Sequence, residues 1–204
     1  MPQWGMVFDL KRCIGCNACA VACKQENSLP HDIFFTKTLS EEVGAYPRVK
    51  RIYIPTLCNH CTDAPCEWVC PTGATYTRED GIVMVDQTQC IGCGSCIVAC
   101  PYDVRALIEP GHLRDGVFMR GELTPHEKQG IGRFESGTVV KCTFCHERVD
   151  KGLQPACVST CPTDARIFGD LDDPESDVRR LIRERGARAP LAEKNTRPKV
   201  FYID

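Results

Sequence analysis

Four cysteines fall within eleven residues in the stretch Cys90-Ile91-Gly92-Cys93-Gly94-Ser95-Cys96-Ile97-Val98-Ala99-Cys100, and Pro101 follows them. The spacing C-x2-C-x2-C-x3-C-P is the bacterial ferredoxin pattern, in which the fourth cysteine binds the other [4Fe–4S] cluster of a pair. A glycine between the first two cysteines lets the backbone turn closely and present N–H groups to sulfur. The proline ends the short helix that carries the fourth cysteine. This stretch therefore predicts half of a ferredoxin-like unit.

Three further groups of four cysteines, together with this one, account for all sixteen cysteines of the 204-residue chain. Residues 13–23 repeat the first spacing, and residues 58–70 have the spacing C-x2-C-x4-C-x3-C. In the last group, at residues 142–161, eleven residues separate two pairs. Proline follows the final cysteine of every group except the first, where Lys24 stands. We expect four [4Fe–4S] clusters, one for each group.

Two other uses of clustered cysteines fit less well. Disulfides need an oxidising compartment and Cα atoms about 4.4–6.8 Å apart, and residues 1–6 lack the basic and apolar segments of a signal peptide. Zinc sites usually join two C-x2-C pairs across a spacer, and only the fourth group has that form. A zinc-stabilised interaction module stays an alternative, which iron analysis would exclude.

Internal repeats indicate how the groups pair. Residues 9–16 resemble residues 86–93, and Cys-Pro-Thr-Gly-Ala at residues 70–74 resembles Cys-Pro-Thr-Asp-Ala at residues 161–165. A turn at residues 79–81, with β-branched residues on both sides, predicts a β-hairpin between the second and third groups. These two groups therefore form one unit, and the first and fourth groups, which have no local partner, are expected to form another around it.

The predicted fold is α+β and loop-rich, with two ferredoxin-like 2[4Fe–4S] units, one inserted in the other. The outer, discontinuous unit takes residues 1–51 and 139–170, and the inner unit takes residues 52–108. Residues 109–138 are a glycine-rich inserted loop, either solvated or in contact with a partner. Residues 171–204 form a C-terminal helix and tail.

The C-terminal helix is predicted over residues 174–185. Asp173 is its expected N-cap, and Gly186 ends it. Three apolar residues share one helical face that is expected to pack inward: Val178, Leu181 and Ile182.

In the ferredoxin pattern, the fourth cysteine of each group binds the cluster of the group paired with it. This exchange predicts four ligand sets, which together include all sixteen cysteines as iron ligands. The expected sets are Cys13, Cys16, Cys19 and Cys161 for cluster 1; Cys142, Cys145, Cys157 and Cys23 for cluster 2; Cys58, Cys61, Cys66 and Cys100 for cluster 3; and Cys90, Cys93, Cys96 and Cys70 for cluster 4. Because every site already has four thiolates, His60 and His146 are expected to support the sites or lie at the surface. No catalytic residue is predicted.

Charge and hydropathy exclude some partners. The formal charge of −2 counts cysteines as neutral, and four clusters of roughly −2 each bring it to about −10. Neither value provides the basic surface that nucleic-acid binding needs. No run approaches the ~18 apolar residues of a membrane span. We expect no nucleic-acid partner and no direct membrane span.

The layout resembles the iron–sulfur (beta) subunits of complex iron–sulfur molybdoenzymes, the dimethyl sulfoxide reductase family. The resemblance covers nearly the whole chain. The sequence segments that carry it are Leu57-Cys58-Asn59-His60-Cys61, Ala64-Pro65-Cys66, Ala99-Cys100-Pro101-Tyr102, Lys141-Cys142-Thr143-Phe144-Cys145, Pro155-Ala156-Cys157 and Phe168-Gly169-Asp170-Leu171. Among subfamilies, the chain is similar to the arsenate, polysulfide/thiosulfate and tetrathionate reductase subunits.

The resemblance implies an electron-transfer subunit that is not an enzyme by itself. It implies a relay between a large catalytic subunit with a molybdopterin (Mo or W) centre and a quinone-binding membrane anchor subunit or other redox carrier. The outer unit would face the catalytic subunit, and cluster 4 would lie at the quinone end. Related nitrate reductase subunits have Trp at the position of Cys93, so cysteine here implies a fourth [4Fe–4S] cluster.

Two expectations about context follow from the resemblance. Without a signal peptide of its own, the chain is expected outside the cytoplasm by co-export with the catalytic subunit, and otherwise in the cytoplasm. The alternative function is a polyferredoxin-type carrier for a hydrogenase or formate dehydrogenase system, without a molybdenum-containing partner.

Overall fold

The computed structural model describes residues 1–114 and 122–204; residues 115–121, within the expected inserted loop, lie outside the described residues. In the described ranges there are nine strands: β1 (Trp4–Asp9), β2 (Thr36–Val43), β3 (Lys50–Leu57), β4 (Thr75–Thr77), β5 (Val83–Val85), β6 (Arg105–Leu107), β7 (Val139–Lys141), β8 (Arg166–Asp170) and β9 (Val200–Ile203). The same ranges contain eight α-helices: α1 (Ala18–Asn27), α2 (Pro65–Trp68), α3 (Ser95–Val98), α4 (Pro110–Arg114), α5 (Pro125–Gly130), α6 (His146–Val149), α7 (Ala156–Ser159) and α8 (Asp177–Arg185). None of these helices is long and apolar enough to cross a lipid bilayer.

A three-stranded sheet joins both ends of the chain to the strand after the fourth cysteine group. Its central strand, β1, pairs antiparallel with β8 and parallel with β9. Met6 and Phe8 point into a core that also contains cysteines, whereas Val7 points to the opposite face, toward α8. All three side chains are fully buried because both faces of the strand are covered.

Three two-stranded ribbons complete the strand pairing in the described residues. The β4–β5 ribbon confirms the hairpin predicted between the second and third cysteine groups. Of the β2–β3 ribbon, eight residues on each strand, the sequence predicts only the start of a short strand at residues 51–55, within β3. The β6–β7 ribbon places Arg105 opposite Lys141 and so joins the end of the third cysteine group to the start of the fourth. The fold is mixed α and β, with small sheets around the cysteine loops.

The described part of residues 109–138 differs from the plain loop that was expected, because it contains α4 and α5. Helix α5 begins with a capping box. The Thr124 hydroxyl accepts a hydrogen bond from Glu127 N (3.3 Å), and the Glu127 carboxylate accepts one from Thr124 N (2.7 Å). These two bonds satisfy backbone donors that otherwise lack partners in the first helical turn.

The C-terminal helix begins three residues later than predicted, at Asp177. Asp173 accepts a hydrogen bond from Glu175 N and so stabilises a turn, and Ser176 is the N-cap, its hydroxyl accepting from Arg179 N (3.3 Å). The predicted end at Gly186 is confirmed. The predicted inward face is also confirmed, since Val178, Leu181 and Ile182 pack with β1 and β9.

Replacing Val178 with alanine is expected to destabilise the fold by about 2 kcal/mol, because a fully buried side chain loses two methyl groups and leaves a cavity. Urea unfolding of the holoprotein measures the change. Val21→Ala is the control, since Val21 is 68% exposed on α1. Equal losses in the two variants would show that α8 does not contribute its expected packing.

Candidate metal centres

Two cysteine loops turn on glycines in the left-handed region. Gly15 and Gly92 have φ of 68° and 66°, in matching Cys-Ile-Gly-Cys segments. A Cβ at Gly92 would overlap the Gly137 carbonyl oxygen, and one at Gly15 would overlap the Tyr53 ring. Both conformation and space therefore require glycine at these positions, as the sequence indicated.

Replacing Gly92 with alanine is expected to remove cluster 4 and about four iron atoms, because strain and overlap both displace its loop. Gly94→Ala is the matched control. Its φ is also positive, at 74°, but nothing lies within 4 Å of a Cβ there, so only a backbone cost of about 1–2 kcal/mol is expected. Iron analysis and thermal unfolding of both proteins separate the two effects; full iron content in Gly92→Ala would contradict the prediction.

The fourth cysteine of each group lies in a helix or directly after one, and three of these four helices are short. The four-residue helices α2, α3 and α7 end just before Cys70, Cys100 and Cys161. Proline after each of these cysteines prevents continuation of the helix. In the first group Lys24 follows Cys23, and α1 continues to Asn27. The absence of proline after Cys23 thus has a local structural consequence.

Three cavities each gather four thiols from two different cysteine groups. Their cysteine linings are Cys13, Cys16, Cys19 and Cys161 in the first; Cys23, Cys142, Cys145 and Cys157 in the second; and Cys70, Cys90, Cys93 and Cys96 in the third. The four remaining thiols lie close enough to interact electrostatically: Cys58, Cys61, Cys66 and Cys100. None of the sixteen cysteines, all in described residues, forms a disulfide.

The four sets differ in depth. In the set expected for cluster 2 all four cysteines are buried, and in the set for cluster 3 three are buried. The sets for clusters 1 and 4 each include one exposed cysteine, Cys16 and Cys93 respectively. Next to these, Ile14 and Ile91 are 56% and 67% exposed, in corresponding positions of the repeat. Two sets therefore lie in the interior, and two approach the surface.

Backbone and hydroxyl groups donate to the thiols at the repeated Cys-Pro-Thr segments. Thr75 N lies 3.5 Å from Cys70 Sγ, and Ala165 N lies 3.3 Å from Cys161 Sγ. Although burial raises both pKa values, these donors together with neighbouring threonines lower the pKa of each thiol below its ordinary value. Such donors stabilise thiolate, the form that binds iron. The donor set therefore fits [4Fe–4S] clusters, which take four thiolates and N–H donors to sulfur.

The more deeply buried thiols have pKa values above the ordinary value. Burial raises the pKa of Cys61 and of Cys157 to about 11, and raises that of Cys142 well above its ordinary value. Desolvation disfavours a charged thiolate, so these ligands need positive charge nearby to be anionic.

The two histidines have supporting positions. His60 is fully buried; its Nδ1 accepts a hydrogen bond from Val83 N (3.1 Å), and its ring lies 3.8 Å from that of Phe144. Burial and the nearby charges of Lys141 and Lys199 hold the pKa of His60 well below its ordinary value. A neutral imidazole therefore packs between the cysteine loops. His146 is partly buried at the start of α6.

Three buried basic residues beside the thiols were not predicted: Arg105, Lys141 and Arg166. A signal was present for two of them. Arg105 and Arg166 each end a Cys-Pro-x-Asp-x-Arg segment, at residues 100–105 and 161–166. Their contacts are described below.

Comparisons with known proteins agree with this geometry. A 4Fe–4S dicluster domain family matches residues 49–111 and 123–171, and a second family of that description matches residues 12–74. A Halobacterium salinarum protein provisionally named as an iron–sulfur subunit of dimethyl sulfoxide reductase is 43% identical over 220 residues, covering 100% of this chain and 80% of that protein. The arsenate respiratory reductase iron–sulfur subunit of Shewanella is 40% identical and covers 98% of this chain and 95% of its own length. A tetrathionate reductase subunit of Salmonella typhimurium is also 40% identical, and the match covers 98% of this chain and 72% of that subunit.

Sixteen clustered thiols in two ferredoxin-like dicluster domains define an electron-transfer protein with four [4Fe–4S] clusters. These matches favour iron–sulfur clusters over the zinc alternative. The chain belongs to the iron–sulfur subunits of the dimethyl sulfoxide reductase family of molybdoenzymes, in which catalysis takes place on a separate subunit.

Proposed function

We propose that the four predicted ligand sets each bind one cubane, with the fourth cysteine exchanged within each pair. The cavities described above support this assignment, because each of the three contains one complete predicted set and no cysteine of another. Bound clusters accept and release single electrons, while the protein fixes their spacing and surroundings. The same pairing supports an outer unit, residues 1–51 and 139–170, that encloses the inner unit of residues 52–108.

The proposed role is a linear relay in the order of clusters 1, 2, 3 and 4. The observation that carries it is the depth of the sets: the two middle sets are interior, whereas Cys16 and Cys93 bring the terminal sets to the surface. Electron transfer to another protein needs a cluster near the contact surface. Clusters 1 and 4 are therefore the points of entry and exit.

The proposed partners are a molybdopterin-containing catalytic subunit at cluster 1 and a quinone-linked membrane subunit, or another redox carrier, at cluster 4. Family membership supports the first partner, since the relatives are named as subunits of reductases. The exposed Ile91 beside cluster 4 supports a second contact surface. With such a catalytic subunit, export of the folded complex would place this chain outside the cytoplasm.

Metal analysis of the natively purified, anaerobically handled complex tests the proposal. About 16 iron atoms from this chain, four per cubane, are expected, with about four more from a partner cluster and about one molybdenum or tungsten. Iron near 16 without either heavy metal would instead favour the polyferredoxin-type carrier. Fractionation of the native cells tests location, since recovery with cytoplasmic markers would contradict export.

A further inference from the structure

Four buried basic residues form no ion pair with a carboxylate among residues 1–114 and 122–204. One of them, Lys199, donates to Gln3 Oε1 and to the Gly81 carbonyl oxygen and experiences the charges of Asp80 and Asp172; the other three lie beside thiols. Lys141, Arg166 and Arg105 are only 2%, 3% and 6% exposed, and none of them forms an ion pair with a described acidic side chain. Burial of an unpaired charge is strongly unfavourable. An anion other than Asp or Glu must therefore compensate them.

Sets 1 to 4 are here the ligand sets predicted for clusters 1 to 4, and Arg166 lies between the thiols of sets 1 and 2. Its Nη2 donates to Cys19 Sγ (3.0 Å) and to Thr36 Oγ1 (3.0 Å). Its charge also acts on Cys157, which belongs to set 2, and on Cys161, which belongs to set 1. The other terminal nitrogen, Nη1, is buried and has no hydrogen-bond acceptor in the described part of the chain.

Arg105 repeats this arrangement in the inner unit. Its Nη1 donates to Thr75 Oγ1 (3.2 Å), as Arg166 does to Thr36. Its charge acts on Cys66 and Cys58 of set 3 and on Cys96 of set 4. Its Nη2, likewise, is buried and finds no acceptor within the described ranges. The two arginines thus share a sequence motif, a threonine acceptor, a terminal nitrogen without an acceptor and a position between two thiol sets.

Lys141 lies between the two units. Its Nζ donates to the carbonyl oxygens of Val83 and Cys142, and its charge acts on Cys58 and Cys66 of set 3 and on Cys142 of set 2. In the β6–β7 ladder it is directly opposite Arg105. Like charges in that position are destabilising, unless the anionic clusters on both sides compensate them.

We propose that these residues are the internal counter-ions of the relay, one in each gap: Arg166 between clusters 1 and 2, Lys141 between clusters 2 and 3, and Arg105 between clusters 3 and 4. The inference rests on the proposed ligand sets. Reduction adds negative charge to a cluster, and a fixed buried cation stabilises that charge strongly where water is excluded. A cation shared by two neighbours raises both reduction potentials and weakens the repulsion between two reduced clusters.

Charge-removing variants of the anaerobically purified complex test this proposal by redox titration monitored by electron paramagnetic resonance. Arg166→Met should lower the potentials of clusters 1 and 2, Lys141→Met those of clusters 2 and 3, and Arg105→Met those of clusters 3 and 4. The equilibrium constant for reduction of each named cluster should fall at least tenfold, which lowers its reduction potential by about 59 mV for one electron. Arg179→Met is the matched control, because Arg179 is exposed on α8, and no potential should change.

Signals are assigned by their loss in Cys16→Ser, Cys145→Ser, Cys61→Ser and Cys93→Ser. Unchanged potentials in fully loaded Met variants, or equal shifts of all four clusters, would overturn the inference while leaving the ligand sets intact. If a Met variant loses iron, Arg166→Lys, Arg105→Lys or Lys141→Arg replaces it. Wild-type potentials in these variants would support a role of charge, whereas iron loss or an equal shift would refute it. A wild-type complex without four such clusters would refute the ligand sets themselves.

Discussion

Cys161→Ser is expected to lose or convert cluster 1, although the other three proposed ligands of that cluster lie near the N-terminus. Cys161 lines the same cavity as Cys13, Cys16 and Cys19, and its nearest sequence neighbours among the cysteines line a different one. Electron transfer through the chain should fall at least 100-fold if cluster 1 is the entry point, since removing a relay centre widens the gap between its neighbours. Iron analysis, paramagnetic resonance spectra and the rate of electron transfer from an artificial donor measure these effects.

The matched controls are Cys16→Ser and Cys145→Ser. If the fourth cysteine is exchanged, Cys161→Ser should lose the same resonance signal as Cys16→Ser and retain the signal that Cys145→Ser loses. The reverse result would show that the fourth group binds its cluster with its own four cysteines. That outcome would contradict both the ligand sets and the nested arrangement of the two units.

Removal of all four clusters is expected to unfold most of the chain. Cysteines form part of two of the three hydrophobic cores in the described residues, including Cys23, Cys58, Cys142 and Cys157 in the largest. Native domains are stable by only about 5–15 kcal/mol, and structural metals can contribute a comparable free energy. We expect iron chelation to abolish the cooperative thermal transition. Circular dichroism under anaerobic conditions measures it.

The third core offers an internal comparison for this experiment. It contains Val7, Val178 and Ile203 and no cysteine, so hydrogen exchange should show its residual protection fading last. Reconstitution with iron and sulfide should restore the cooperative transition, which separates cluster loss from irreversible damage. An apoprotein that melts cooperatively near the temperature of the holoprotein would show that apolar packing alone holds this fold.

Cysteine spacing predicted the parts of the structure that depend on local chemistry. Gly15 and Gly92, the short helices before proline and the β4–β5 hairpin all follow from residues within one motif. The start of α8 was less predictable, because Asp173 and Ser176 are both suitable caps and tertiary packing selects between them. The helix α5 had a usable signal, the Thr124–Glu127 capping box, within a stretch that otherwise appeared loop-like.

Features that depend on distant contacts left little trace in the sequence. Six of the eight residues of β2 are exposed, so that strand lacks the alternating apolar pattern that marks a half-buried sheet. Arg105, Lys141 and Arg166 occur singly, and single basic residues are usually solvated. Only the assembled fold brings each of them beside thiols from two different cysteine groups. The repeat that Arg105 and Arg166 share becomes informative once the pairing of cysteine groups is known.

The three-stranded sheet also sets the order in which the molecule can be completed during synthesis. Strand β1 leaves the ribosome first, but its partners β8 and β9 follow only after residues 166–170 and 200–203. At about 5–20 residues per second, the wait between β1 and β9 is roughly 10–40 s. During that interval Cys13, Cys16 and Cys19 lack Cys161, the fourth thiol of their cavity, whereas the thiols of residues 58–100 lie close together in the sequence. Insertion of a cluster into the proposed N-terminal ligand set therefore has to follow the synthesis of Cys161, late in translation.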